Sequence, residues 1–144
     1  MADDRTLSLV LTLKAPPERV FDAWTEPSML VKWWGPEGTD TKEYQMDVRV
    51  GGAWRTVFDG AYGRRIVSGV YRVIERPRRL AMTWGWEQPD GSRGHETIVD
   101  VRFEPVAAGT RLSLEQKRFI NAEQRDLHSQ GWSSSFRKLE RLFG

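Results

Sequence analysis

The chain has 144 residues, 39% of them hydrophobic and 29% charged, with a formal net charge of +2 and no cysteine. A length near the modal domain size of roughly 100–150 residues predicts one domain, residues 1–144, with a core large enough to need no metal or crosslink. The missing cysteines exclude disulfides, Cys-ligated zinc, iron–sulfur clusters and thiol catalysis, and fit a reducing cytoplasm.

In chain order, the start MADDRTLSLVLTLKAPPE has acidic residues where a secretory leader is basic, and alternating rather than continuous apolar positions. No signal peptide is expected, nor any bilayer span, since no window approaches roughly 20 apolar residues. Residues 6–14 alternate Leu7, Leu9, Leu11 and Leu13 against Thr6, Ser8, Val10 and Thr12, the period of a half-buried strand. Ala15-Pro16-Pro17 stops that strand and opens a helix, with Val20, Phe21 and Trp24 on one face. Pro27-Ser28 opens a second short helix through Trp33-Trp34, ended by Gly35-Pro36. Helices this short are marginal alone and need something to lie across.

From 42 to 118 the pattern is β, in runs near 42–50, 53–59, 64–75, 79–87, 95–105 and 109–118. The dividers Gly51-Gly52, Asp59-Gly60, Arg76-Pro77, Pro89-Asp90-Gly91 and Ala107-Ala108-Gly109 are tight-turn chemistry, so neighbouring strands must pair antiparallel. Parity assigns one apolar face: Trp54, Thr56 and Phe58, then Leu80, Met82, Trp84 and Trp86, then Thr97, Val99, Val101 and Phe103, then Leu112, Leu114 and Gln116. Asn121 followed by Gln124 marks a helix start. From there Leu127, His128, Trp132, Ser135, Phe136, Leu139, Leu142 and Phe143 form a helical stripe. A helix over 121–143 is about 35 Å long, enough to cross a sheet.

Seven tryptophans, each burying on the order of 150–250 Å², must fill a dense core or wall an apolar pocket. The centre of the last helix carries Gly131, Ser133, Ser134 and Ser135. Glycine there costs about 1 kcal/mol relative to alanine, so small size points to a cavity, to close helix–sheet packing, or simply to an exposed serine face.

Few residue patterns in the chain carry chemistry. His95-Glu96 lacks the Pro-Cys-x-x-Cys of a zinc deaminase, and no metal or cofactor is expected. Ser133–Ser135 lack a nucleophile elbow, and no phosphate-binding glycine loop occurs. Basic residues cluster at Arg64-Arg65 and at Arg76, Arg78 and Arg79. Beside Gly63 and Pro77 they read as solvated hairpin ends rather than a phosphate contact, and no nucleic-acid partner is expected. His128 is either a titratable residue placed to meet a ligand or a capped, satisfied edge residue, and Tyr71 and Gln116 either orient a ligand by hydrogen bonding or satisfy each other or water. Trp33 and Trp34 are expected to pack the small helices onto the rim.

The segments FDAWTEPSMLVKWWGPEG, RVGGAWR, GVYRVIERPRRLAMTWGW, GTRLSLEQ and GWSSSFRKLERLF, in the order β-α-α-β6-α, resemble bacterial homologues of the heat-shock-protein ATPase activator. These lie within the superfamily of START-type lipid carriers and birch-pollen-allergen-like proteins. The likeness covers residues 5–143. It implies an α+β helix-grip fold: a curved seven-stranded antiparallel sheet wrapped around a long C-terminal helix, with two short helices after the first strand and an apolar cavity between. Superfamily members bind lipids, sterols or polyketides there, some are cyclases, and the eukaryotic activator contacts a chaperone.

The reading is therefore a non-enzymatic binding protein for a lipophilic or aromatic small molecule. Its expected cavity residues are Trp54, Phe58, Tyr71, Met82, Trp84, Val99, Val101, Leu114, Gln116, His128, Trp132 and Phe136. The alternatives are a cavity-based cyclase, dehydratase or hydrolase and, by family analogy only, a chaperone regulator. Pairing of two copies through an exposed sheet face or edge is compatible with the pattern.

Overall fold

The first strand, β1 (Leu7–Leu13), buries Leu7 and Leu13, half-buries Leu9 and Leu11, and exposes Val10, as strand alternation requires. The computed structural model describes residues 4–60 and 63–143. The first three residues, part of the expected non-secretory start, lie outside them.

Two helices follow, α1 (Pro17–Thr25) and α2 (Pro27–Leu30), each with proline in its first turn, where no N–H is wanted. The second is shorter than the sequence suggests. Beyond Leu30, bonds spanning three residues take over, Lys32 N–H to the Met29 carbonyl and Trp33 N–H to that of Leu30. This tighter winding carries the consecutive Trp33 and Trp34 into the interior, where both are buried.

Six more strands complete the sheet: β2 (Thr39–Met46), β3 (Ala53–Gly60), β4 (Arg65–Glu75), β5 (Arg79–Trp86), β6 (Thr97–Val106) and β7 (Gly109–Lys117). Their order is β1-β7-β6-β5-β4-β3-β2, antiparallel throughout, so the expected meander holds and β1 closes beside β7. β2 starts and stops earlier than the 42–50 run, because residues 47–52 are consumed by a turn. There Arg49 N–H bonds the Asp47 carbonyl, Gly52 N–H bonds that of Arg49, and Gly51 sits at φ 85°.

The sheet curls into a half-barrel. Register shifts between Thr41 and Glu43 and between Tyr71 and Val73 are irregularities of the kind that bend and twist a strand. Gly69 lies opposite Trp54 across the β3–β4 pair, and a Cβ there would overlap the Thr83 carbonyl and crowd the Trp54 indole nitrogen. Glycine lets that indole lie on the backbone.

The last element, α3 (Ala122–Leu142), begins at Asn121, whose side chain accepts the Gln124 N–H at 2.9 Å. The α3 backbone approaches the sheet closely along β1. Toward β3–β5 it stands off, and the gap holds aromatic side chains. Among the described residues no helix is long and apolar enough to cross a membrane.

Candidate functional site

The concave face of the sheet and the three helices enclose a continuous layer of indoles. Trp24 lies at its centre, with ring centroids 4.8 Å from Trp33, 6.0 Å from Trp34 and 5.8 Å from Trp132. Trp34 bridges onward to Trp54 at 6.0 Å and Trp84 at 5.8 Å. Trp84 in turn meets Trp54, Trp86 and Trp132 within 5.2–5.7 Å.

Such rings bury large apolar area but carry an N–H that needs an acceptor. Trp33 donates to the Ala23 carbonyl and Trp34 to Thr56 Oγ1, both at 2.9 Å. Trp132 donates to Gln116 Oε1 at 2.8 Å, while Gln116 Nε2 donates to Thr97 Oγ1 at 2.7 Å. Thr97 then points its hydroxyl at the Trp84 carbonyl, 3.4 Å away. This buried chain locks the Trp132 ring to β7, β6 and β5. Trp24, Trp54 and Trp84 have buried indole nitrogens with no acceptor among the described residues, a cost that rigid ring-on-ring packing must offset.

The layer is incomplete at one end. A cavity of about 330 Å³ opens between the first half of α3 and strands β3–β5. Its wall is aromatic, with Trp34, Phe58, Trp84, Trp86 and Trp132, and its α3 side is small or neutral, with Gln124, Gln130, Gly131, Ser134 and Ser135. A Cβ added at Gly131 would meet nothing within 4 Å. Of the small mid-helix residues, Gly131, Ser134 and Ser135 border this space and Ser133 does not.

His128 stands at the wall, held at both ring nitrogens. Trp86 Nε1 donates to His128 Nε2 at 2.8 Å, and Nδ1 faces the Gln124 carbonyl at 2.8 Å. The only consistent proton placement is neutral imidazole with hydrogen on Nδ1. Burial lowers its pKa from the ordinary 6.5; the Gln124 carbonyl opposes that effect and the nearby Arg65 charge adds to it.

The segment leading from α2 to β2 is strapped over α3. Glu37 N–H donates to Ser134 Oγ at 2.8 Å, Lys138 Nζ donates to the Gly35 carbonyl at 3.1 Å, and the Glu37 carboxylate pairs with Arg137 and Arg141. Gly35 and Pro36 thereby form part of the cavity wall. A more open cleft of about 590 Å³ lies beyond the strap, lined by Lys32, Glu37, Asp40, Lys138 and Arg141. Its charges are mostly engaged in holding the strap.

Of the residues the sequence marks for the cavity, Phe58, Trp84, His128 and Trp132 meet at its wall. Trp54 packs behind Trp84 and Trp34, and Phe136 packs on Trp24, Trp33 and Trp132. Met82, Val99, Val101 and Leu114 are buried in the core and do not reach the cavity wall, and Gln116 has spent its amide on Trp132 and Thr97. Tyr71 is also core, its phenol pushed far above the ordinary 10 by burial, with the Asp47 charge adding to the shift.

The wall also includes residues that the sequence does not mark for a cavity, among them Trp34, Arg65 and Trp86. Trp34 was assigned to the rim, Arg65 to a solvated hairpin end, and Trp86 only to the inner face. The same-face parity of Trp84 and Trp86 was the available signal for Trp86; nothing local points to the others. Leu127, placed on the helical stripe, is exposed at the mouth. His95 is an exposed residue against the Arg118 carbonyl. Among the described residues no three His, Cys, Asp or Glu gather where they could hold a metal ion.

The family model for Activator of Hsp90 ATPase homolog 1-like proteins matches residues 14–144. The chain belongs to this family. An AHSA1 protein from Silicibacter pomeroyi is 34% identical, with TM-score 0.88 over 94% of this chain and 95% of that one. A protein from Chromobacterium violaceum is 31% identical, with TM-score 0.83 over 96% and 97%. An AHSA1-like protein from Aeromonas hydrophila, at 21% identity and TM-score 0.73 over 95% and 93%, shares the fold. No curated protein matches the chain.

Proposed function

We propose that this protein is a binding protein, not an enzyme, for a small lipophilic or aromatic molecule held between α3 and strands β3–β5. The observation that carries this reading is the cavity itself. Five aromatic residues wall it, while the facing helix presents Gly131, Ser134 and Ser135 rather than side chains that would fill it. A volume of about 330 Å³ lies at the small end of the roughly 300–1,000 Å³ of ligand pockets, and an apolar wall with a few polar groups is their usual composition. Fold membership alone does not select a ligand, and this lining is what favours a lipophilic one.

The enzymatic alternative needs a group free to move a proton. His128 is the titratable side chain on the wall with an ordinary pKa near neutrality, and both its nitrogens are engaged by Trp86 and Gln124. That arrangement supports a structural histidine.

Tryptophan fluorescence gives the test, since four indoles line the space. Titration with naphthalene derivatives and medium-chain fatty acids is expected to shift or quench emission saturably. Gly131→Phe, which projects a ring into the empty space, is expected to abolish that response while leaving the fold intact by circular dichroism. A wild-type protein that responds to none of them, or a Gly131→Phe variant that responds equally, overturns the reading.

A further inference from the structure

We propose that the cavity selects a small aromatic or lipophilic molecule bearing a carboxylate, its hydrocarbon body between Trp84, Trp86 and Trp132 and its carboxylate on the Arg65 guanidinium. The proposal rests on the cavity reading above and adds the chemical class of the guest.

Arg65 is the one formally charged residue in the cavity lining, and no carboxylate lines it. Its guanidinium carbon sits 4.7 Å from the centroid of the Trp86 ring, over the ring face. A guanidinium laid on an indole gains a cation–π contact and keeps a planar fork of N–H donors that matches a carboxylate.

The neighbouring arginines are treated differently. Arg55 on β3 is fixed to Glu87 at 2.8 Å, and Arg64, next to Arg65 in the chain, reaches Glu43 at 3.3 Å. Arg65 makes no ion pair among the described residues. Carboxylates are therefore close at hand on this part of the sheet, yet the arginine at the cavity has none. A cationic guest meets a like charge there and no counter-charge.

The remaining polar groups fit the same guest. Gln124, Gln130 and Ser134 at the α3 side can donate to an anion without adding charge. His128 contributes a neutral aromatic edge, because both nitrogens are already bonded. The mouth therefore offers one fixed positive charge beside apolar walls, the arrangement an amphipathic acid requires.

The test is calorimetric titration of the full chain with three probes sharing one ring system: naphthoate, naphthamide and naphthylmethylammonium. Wild type is expected to bind naphthoate about tenfold more tightly than naphthamide, the size of one partly exposed charge-assisted contact, and to bind the ammonium most weakly. Arg65→Gln is expected to bring naphthoate down to the naphthamide value and leave naphthamide unchanged. Arg65→Lys is expected to restore part of the preference.

Arg65 is exposed at the start of β4, so both variants should fold, and unchanged naphthamide binding reports that they have. Equal affinities for acid and amide in wild type, or an Arg65→Gln loss shared by both, overturn the acid class while the cavity reading stands. If none of the three binds wild type, this proposal fails, and the cavity reading fails with it when medium-chain fatty acids give no response either.

Discussion

The two ends of the indole layer use the same residue type to opposite effect. At the α1–α2 end, Trp24 and Trp33 are almost wholly buried, and Trp33 is bonded back to the Ala23 carbonyl of α1. Phe21, Phe103 and Phe136 close the remaining space around Trp24. At the α3 N-terminal end, Trp84 and Trp86 face a helix that offers Gly131, Ser134 and Ser135 instead of rings. The partner surface, not the tryptophans, decides whether such a layer is core or wall.

Breaking each end separately exposes that difference. Trp24→Ala is expected to cost about 3–5 kcal/mol of unfolding free energy, the range for large-to-small changes at fully packed aromatic sites. Trp86→Ala, at the half-exposed end, is expected to cost clearly less while eliminating ligand binding. Urea denaturation of both variants, alongside probe titration, checks the contrast. Equal stability losses at the two positions would mean that the cavity end is packed as tightly as the centre.

Acid should loosen the cavity end first. The folded-state pKa of His128 is lowered by burial, so the unfolded chain takes up this proton before the folded one does. The contribution is complete above the ordinary value near 6.5 and is lost as pH falls from there through the lower folded value. Protonation also places a hydrogen on Nε2, against the Trp86 N–H that it now accepts. Urea midpoints measured at about pH 7.5 and about pH 5 should drop with acid, and His128→Gln should flatten that part of the slope. A midpoint equally steep in the variant would remove His128 as the cause.

The smallest effect has the opposite sign. Gly131→Ala adds one methyl in open space within a helix, so it should stabilise the protein by about 0.4–1 kcal/mol with little change in probe binding. A loss of stability would show that Gly131 is already in close contact.

Much of the architecture was legible because it depends on short-range patterns. The Leu7–Leu13 alternation, the glycine and proline turns, and the Asn121 cap each act within a few residues, and the strands and α3 lie within a few residues of where those patterns put them. The site was less legible. Parity places Met82, Val99, Val101 and Leu114 on the inner face beside Trp84, but cannot tell which inner-face residues lie beneath packed rings and which lie beneath space. That depends on where α3 stands off from the sheet. The place of Trp34 and Arg65 beside this space was illegible for the same reason: their neighbours there come from α3 and β5, far away in the chain.

The amino-acid order by itself determined one early strand, a six-stranded antiparallel meander, two brief helices, a long closing helix and an interior built from indoles, since periodicity and turn chemistry are local. Only the tertiary structure decided that those indoles fill one end and leave the other open, with Arg65 at the mouth. That outcome is set by the angle between a bent sheet and a rigid rod, and by which small side chains fall where they diverge.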